Sequence, residues 1–354
     1  MKPAPKDSVV ELDGAHGEGG GSIIRAGLTM SALTGQSVHI KNVRGALNKP
    51  GVNAIDLGLI NILSKATNAK VEASFGASEI YFKPTKQVAP VSDRVDLNSL
   101  AKSSNPGSAT LVLQSLLAPL CRAGGLSNIS CRGGTHVPFA PSYDYFRLVT
   151  LPAFAQVGIG ALLTLDTASY SARGSGEISI EIEPSSLNGI DFSTRGKLIS
   201  LKCVIAISEL PESVGIRGIK CVSLAAEKQG MSVKTELVKY RSGSPGACAS
   251  FGAIFEAGFG GSQFIGERGL PMEDVIEKAF ADFVHWLNSE KGTDEFLGDQ
   301  LLIPAVLSRE NCAYTTSRIT PTLLTTAWVI KQFMPAKITI LGDEGSTGEV
   351  KISK

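Results

Sequence analysis

The sequence predicts an α+β fold made of α/β sandwich units: three copies of a two-helix, four-stranded-sheet unit, with a smaller α+β domain inserted before the third copy. Strand and helix patterns recur in a similar order three times, and a strand-rich, charged segment interrupts them. The chain is 43% hydrophobic, enough for a substantial core. We assign residues 1–184 to the first two copies, 185–270 to the insert and 271–354 to the third copy.

The first copy reads as strand, helix, strand, helix, strand, strand. A glycine-rich loop separates its first strand from its first helix, and Pro50 starts its second helix. The strands are predicted at residues 8–12, 37–43, 70–74 and 79–83, and the first helix at 22–34.

The second copy starts after a breaker loop at residues 105–107, and Pro119 ends its first helix. Helices are predicted at residues 108–118 and 144–156, and strands at 126–131, 160–166 and 177–183. The third copy starts with a long helix from Met272, followed by a helix at 299–307, a strand at 312–319, a helix at 323–333 and two closing strands at 337–341 and 349–352.

The loop DGAHGEGGGSIIR, residues 13–25, sets one acidic side chain, Glu18, among five glycines. Three consecutive glycines indicate a close approach of the backbone to a ligand or to another part of the chain. Free N–H groups at a helix start suit a phosphate. The alternative is a tight turn with a solvated glutamate. The segment lacks the GK[ST] ending of a Walker A loop and is not GxGxxG.

Composition excludes several classes of protein. Net charge is +1, from 34 basic and 33 acidic residues, so a nucleic-acid partner must be held by a local patch. No apolar run is long enough for a membrane span, and the N-terminus has no signal-like segment. Six scattered cysteines and four scattered histidines form no zinc-binding pattern, so we expect reduced thiols and a cytoplasmic location. The oligomeric state is left open.

Five segments resemble the RNA 3'-terminal phosphate cyclase family in order and separation. They are DGAHGEGGGSIIRAGLTMSALTG, VRGALNKPG, GSATLVLQSLL, RGGTHVPFAPSYDYF and LGDQLLIPAVL. The resemblance implies three repeats of the two-helix, four-stranded unit and a smaller inserted domain. It also implies a use of ATP and Mg2+ or Mn2+ to turn an RNA 3'-phosphate into a 2',3'-cyclic phosphate, through adenylylated histidine and RNA intermediates.

The same resemblance implies site residues. Glu18 and Asp299 are expected at a metal or phosphate, and Arg25 and Arg44 at phosphates, since guanidinium groups suit anions. The other expected nucleotide contacts are Gln114, Pro138 or Pro141 with Phe296 around the adenine, and Gln300. For three of these a plainer interpretation stays open: Arg44 as a surface charge, Gln114 as a hydrogen-bonded core amide and Asp299 as a helix N-cap. RNA ends are expected at Arg25, Arg44 and Lys49.

The nucleophile position departs from the family. Where the family has a histidine before an LLTN-like helix start, LLTTAWVIKQFMP follows Thr322. A threonine needs deprotonation and would form an unreactive phosphodiester, so the usual adenylation should be lost. The family's QH pair is here Ile55 and Asp56, and Ser22 replaces a glutamine.

Three explanations follow: another nucleophile, for which His136 is the one histidine we nominate; a substitution introduced at residue 322; or a protein without cyclase activity that binds RNA or nucleotide, for example in ribosome biogenesis. The retained motifs favour ATP-dependent RNA 3'-phosphate cyclisation. An enolpyruvyl transferase with a similar repeat is a weaker alternative, because the LGDQ and RGGT segments and the insert are unexplained by it.

Overall fold

The computed structural model describes residues 9–102, 105, 107–171, 174 and 176–354. Ser8 of the first predicted strand and Pro106 of the predicted breaker loop lie outside these residues. Within them, no helix is both long and apolar enough to cross a membrane.

The first unit contains β1 (Val9–Asp13), α1 (Gly21–Thr34), β2 (Ser37–Lys41), α2 (Ala54–Thr67), β3 (Lys70–Glu72) and β4 (Ile80–Lys83). Its sheet has the order β1-β2-β4-β3, with β1 and β2 parallel and the other pairs antiparallel. The second helix begins at Ala54 rather than at Pro50. Asn53 and Asp56 form a reciprocal capping box that fixes this start.

The second unit contains β5 (Ser92–Asp96), α3 (Leu97–Leu100), α4 (Ala109–Leu120), β6 (Ser127–Gly133), α5 (Tyr143–Tyr145), a π-helical turn (Phe146–Thr150), α6 (Leu151–Gln156), β7 (Ala161–Thr167) and β8 (Gly176–Ile182). Its sheet has the order β5-β6-β8-β7. Strand β5 was not predicted, because only Val95 of its five residues is buried and the segment lacks a strong apolar alternation.

The next segment contains β9 (Asp191–Phe192), β10 (Leu198–Ser208), α7 (Glu212–Lys228), β11 (Lys234–Lys239), β12 (Gly246–Phe255), β13 (Gly258–Ile265) and α8 (Met272–Ser289). Strands β10 to β13 form a fourth sheet in the order β11-β10-β12-β13. This sheet has its own hydrophobic cluster, separate from the cluster that runs through the other units. The fourth sheet with α7 and α8 is hereafter the inserted unit.

The third unit is completed by α9 (Glu295–Leu307), β14 (Cys312–Thr316), α10 (Pro321–Phe333), β15 (Lys337–Leu341) and β16 (Gly348–Ser353). Its sheet has the order β15-β16-β14-β9, with β9 and β14 parallel. The three core sheets thus share one pattern: one parallel pair, then two antiparallel pairs. This confirms the mixed α+β fold of repeated sheet-and-helix units.

The inserted unit differs at both ends from the predicted range 185–270. Helix α8 was expected in the third unit, but Val275, Ile276 and Phe283 pack into the hydrophobic cluster of the inserted unit. Phe283 stacks on Phe251 of β12 with ring centroids 5.3 Å apart. Conversely, β9 lies in the predicted insert but pairs with β14 of the third unit. The cause is burial: the apolar stripe of α8 covers the fourth sheet.

Candidate active site

One cavity of about 980 Å3 lies where α1, α9 and the first turns of α10 meet α4, segment 138–141 and strand β13. This size suits a ligand as large as a nucleotide. The predicted site residues in its walls are Glu18, Arg25, Gln114, Pro138, Pro141, Phe296, Asp299, Gln300 and Thr322. Segments that are far apart in the sequence therefore converge on one space.

The glycine loop leads into α1 without a side-chain cap. Gly20 is the N-cap residue and makes no side-chain hydrogen bond to the helix. A Cβ on Gly21 would lie 2.6 Å from Nη1 of Arg25 and 3.2 Å from Nη2 of Arg44. A side chain at Gly21 would therefore have to displace the end of a guanidinium group, so the glycine keeps the start of α1 open to the cavity.

Glu18 lies beside this helix start and is held by both carboxylate oxygens. The backbone N–H of Ser22 donates to Oε1 over 2.9 Å, and the Thr322 hydroxyl donates to Oε2 over 2.7 Å. Burial alone would raise the pKa of Glu18, but hydrogen bonds from Ser22 and Thr322 and the charge of Arg25 lower it overall. The carboxylate is therefore ionised near neutral pH.

Arg25 faces the cavity one turn inside α1. Within the described residues its guanidinium has no hydrogen bond or ion pair with another side chain. Burial lowers its pKa, while the nearby carboxylates of Glu18 and Asp56 act in the opposite direction. An arginine remains charged even when it is buried. Arg25 therefore offers the cavity N–H donors that no described side chain binds.

Arg44 is not in the cavity wall and is not a surface charge. Its side chain is 8% exposed and forms a two-pronged ion pair with Asp56, one prong being Nη2 to Oδ1 at 2.8 Å. Nη1 also donates to the carbonyl of Gly51 over 3.2 Å. The expected contact of Arg44 with a phosphate is therefore not supported, because the departure at residue 56 supplies a buried partner. Lys49 is exposed and also lies outside the cavity wall.

The N-cap interpretation of Asp299 is wrong, because α9 starts at Glu295 and Asp294 caps it by accepting from the N–H groups of Phe296 and Leu297. Asp299 lies in the second turn and accepts a hydrogen bond from the Thr320 hydroxyl. Burial raises the pKa of Asp299 well above its ordinary value, and the charges of Glu295 and Glu18 add to this effect.

Glu18 and Asp299 are the residues that could hold a divalent cation. No group of three or more histidine, cysteine or acidic side chains with metal-binding geometry occurs in the described residues. Mg2+ commonly takes only one or two protein carboxylates and completes its shell with phosphate oxygens and water. Glu18 and Asp299 are two of the five carboxylates in the cavity wall, the others being Glu267, Asp282 and Glu295, and a pair of carboxylates fits that donor set.

Part of the cavity wall is apolar. Pro138, Pro141 and the half-exposed ring of Phe296 line it. Tyr145 meets Phe296 edge-to-face with centroids 6.5 Å apart, which fixes the phenyl ring. Such surfaces suit a planar base.

Two glutamines bring polar groups to the same walls. Oε1 of Gln300 accepts from the Thr150 hydroxyl over 2.8 Å. Gln114 is half-buried and lines the cavity, and no hydrogen bond to another described residue holds its amide. Gln114 is therefore not a core amide satisfied by the protein.

His136 cannot serve as the nucleophile in this structure. It is fully buried, and it is not among the residues that line the cavity. Nδ1 lies 2.9 Å from the Thr135 hydroxyl and Nε2 lies 3.2 Å from Oδ2 of Asp144, so both ring nitrogens have partners. No histidine lines the cavity among the residues that the structure describes.

Sequence reasoning missed two residues that organise the site. Asp294 accepts from the Tyr145 hydroxyl, at 2.8 and 2.9 Å, and from the N–H of Gly261 at 2.8 Å, and so ties α9 to α5 and β13. The sequence around Asp294 contains no motif that would predict these distant partners. Gln263 of β13, also in the cavity wall, was missed for the same reason.

Comparisons with known proteins give one family. Residues 16–340 match the family described as RNA 3'-terminal phosphate cyclase. A protein of that name from Methylococcus capsulatus is 32% identical over 348 residues, covering 98% of this chain and 96% of the relative. A namesake from Archaeoglobus fulgidus is 31% identical, covering 95% of this chain and 99% of the relative.

Among solved structures, the enolpyruvyl transferase NikO from Streptomyces tendae matches 49% of this chain and 33% of its own. The match has a TM-score of 0.26 and 14% identity, and at that level it carries no argument for a transferase.

Proposed function

The chain belongs to the RNA 3'-terminal phosphate cyclase family, and from that premise we propose that it binds ATP and RNA 3' ends in the cavity and converts a 3'-terminal phosphate to a 2',3'-cyclic phosphate. The observation that carries the proposal is the convergence of the glycine loop, segment 138–141, the first turns of α9 and α10, and Gln114 on one cavity.

The proposed roles follow from chemistry. The start of α1 and Arg25 bind phosphate oxygens, by helix N–H groups and by a charged fork of donors. Pro138, Pro141 and Phe296 hold the adenine, and Gln114 and Gln300 bind polar atoms of the nucleotide. Glu18 and Asp299 hold Mg2+ or Mn2+, which when bound would neutralise charge on the phosphates.

The reaction balances without a protein group being consumed. AMP passes from ATP to the RNA 3'-phosphate and pyrophosphate leaves. The RNA 2'-hydroxyl then attacks the 3' phosphorus, AMP leaves and the hydroxyl proton goes to solvent. In the family a histidine carries AMP in between; with Thr322 in its place, the RNA 3'-phosphate would attack the α-phosphorus of ATP directly. The Thr322 hydroxyl donates a hydrogen bond to Glu18. Because the pKa of Glu18 is lowered, its carboxylate is a weak base and would remove the hydroxyl proton poorly.

A second candidate is a protein that binds nucleotide or RNA ends without turnover. It is favoured by the lack of a histidine among the described residues of the cavity wall.

The test is incubation of a 3'-phosphorylated oligoribonucleotide with ATP and Mg2+ or Mn2+, with a thermal unfolding assay alongside. Formation of AMP and a cyclic end supports the proposed reaction. Stabilisation by ATP without product favours the second candidate, since a ligand at about 100 times its Kd stabilises by about 2.7 kcal/mol. If the assay gives no product and ATP does not stabilise the protein, both candidate functions are refuted.

A further inference from the structure

Segment 138–142 is held in place by contacts with other elements of the fold. It forms the proline side of the cavity, and Pro138 and Pro141 have no N–H to donate. Phe139 at its tip is fully exposed and has a φ of +64°, so its ring does not anchor the segment. The position of the prolines therefore depends on contacts that other elements make with this backbone.

One side chain of the inserted unit makes two of these contacts. Nε2 of Gln263 donates to the carbonyl of Ala140 over 2.6 Å, and the N–H of Ser142 donates to Oε1 of Gln263 over 2.6 Å. The primary amide thus binds a carbonyl and an N–H on either side of Pro141. Because one partner is an acceptor and the other a donor, only one orientation of the amide satisfies both.

Neighbouring residues complete the contact. Ser250 lies directly across from Gln263 in the register of β12 and β13, and its hydroxyl is 3.1 Å from that of Ser142. From the core side, the Thr110 hydroxyl donates to the carbonyl of Pro141 over 2.6 Å. Three consecutive residues of the segment are thus held between α4 and the inserted unit.

We propose that Gln263 is a positioning residue for the nucleotide base: it fixes the proline wall of the cavity, so that ATP affinity depends on the inserted unit. The proposal rests on the proposed function, because it assigns the base to this wall. It deepens that function by giving the inserted unit a part in the site. Coupling is reciprocal, so bound ATP also stabilises the contact between Gln263 and the segment.

The inserted unit stays docked without Gln263. The Tyr240 hydroxyl donates to Oδ1 of Asp144 over 2.8 Å, and the N–H of Gly261 donates to Asp294 over 2.8 Å. A substitution at residue 263 therefore tests the position of the segment rather than the attachment of the unit.

The test compares Gln263→Met with Gln36→Met. Methionine keeps the length of the side chain and removes both hydrogen bonds. Gln36 is a matched control, since its Nε2 donates over 2.7 Å to the carbonyl of Phe333 and it lies outside the cavity wall. Gln263→Glu keeps an acceptor for Ser142 but loses the donor to Ala140.

We expect Gln263→Met to weaken ATP binding about 10-fold, or about 1.4 kcal/mol of binding free energy, because the loss of both hydrogen bonds leaves the proline wall less well positioned. Gln263→Glu should be affected in the same direction, and Gln36→Met should bind ATP as the unsubstituted protein does. Hydrogen exchange at the amide of Ser142 should become faster in Gln263→Met and not in Gln36→Met, a change that general destabilisation would not confine to this segment.

Two results would refute this inference and leave the proposed function standing. One is an ATP affinity of Gln263→Met within about 2-fold of the unsubstituted protein, and the other is an equal loss of ATP affinity in Gln36→Met. If the unsubstituted protein binds no ATP, the proposed function fails and the inference fails with it.

Discussion

The hydroxyl of Thr322 donates a 2.7 Å hydrogen bond to Oε2 of Glu18, across 304 residues of sequence. The contact joins the first turn of α10 to the glycine loop before α1. The resemblance to the family assigns the nucleophile to residue 322 and a metal or phosphate to Glu18, so the contact joins two positions of the proposed site. A threonine hydroxyl would have the wrong chemistry for the first step of the family's reaction.

Thr322→His should gain the ability to take AMP from ATP. A neutral imidazole attacks phosphorus and forms a P–N bond, which a threonine hydroxyl beside a weak base does not. The measurement is incubation with α-labelled ATP and a divalent metal, followed by denaturing separation. The expected label on Thr322→His is acid-labile and alkali-stable.

Thr322→Val is the control for that experiment, since it keeps the side-chain shape and offers no nucleophile. Label on the unsubstituted protein would contradict the prediction. His16 would then be the residue to replace, because it lines a smaller pocket that shares Glu18 and Pro321 with the large cavity.

Arg25→Ala should weaken ATP binding by about 10-fold or more, because it removes a cation whose donors have no hydrogen-bond partner among the described residues. Stability should change little, since no ion pair within the described residues is broken. Calorimetric titration with ATP measures the first effect and urea unfolding the second. Arg25→Lys should recover only part of the affinity, because it keeps the charge but not the fork. Equal ATP affinity in all three proteins would remove Arg25 from the site.

Arg44→Ala should instead destabilise the fold. It leaves the buried carboxylate of Asp56 without its cation, a loss that typically costs about 3–5 kcal/mol. The sequence alone places Arg44 at RNA ends, and on that basis the same change would weaken binding of RNA ends and leave the fold intact. Urea unfolding gives the free energy of unfolding. Arg44→Met combined with Asp56→Leu should recover part of the loss, and a loss below about 1 kcal/mol in Arg44→Ala would show the pair to be unimportant.

Asp294 should give the protein a pH-dependent stability. Burial raises its pKa from an ordinary 3.8 to about 6, despite hydrogen bonds from Leu297, Tyr145, Gly261 and Phe296. The folded state therefore binds this proton more tightly than the unfolded state. The stability that this group contributes is fully present below about pH 4 and is lost as pH rises through about 6.

Asp294→Asn supplies the comparison, because an amide does not titrate. The stability of the unsubstituted protein relative to Asp294→Asn should fall by up to about 3 kcal/mol between about pH 4 and pH 7. Urea unfolding at a series of pH values measures the difference. A difference that stays constant with pH would show that Asp294 keeps an ordinary pKa.

Much of the fold could be predicted from the sequence, because hydrophobic periodicity, turns and caps act over short distances. The glycine loop ahead of α1 and the repeated order of strands and helices were predicted on that basis and agree with the structure. Strand β5 was not predicted, because its five residues lack a strong apolar alternation. Helix α8 was assigned to the wrong unit, since its apolar stripe does not specify which sheet it covers.

From the amino-acid sequence alone came the family resemblance, most of the order of elements and the expected site residues, of which all but Arg44 and Lys49 line the cavity. The assignment of Thr322 to the family's nucleophile position stays a prediction. The folded structure was needed to reveal that Asp56 is the buried partner of Arg44, that Asp294 rather than Asp299 caps α9, and that Gln263 holds the proline segment. The two groups of features differ in how far apart in the sequence the interacting residues lie. Periodicity and capping are properties of neighbouring residues, whereas these pairings depend on distances in space that exist only once the chain has folded.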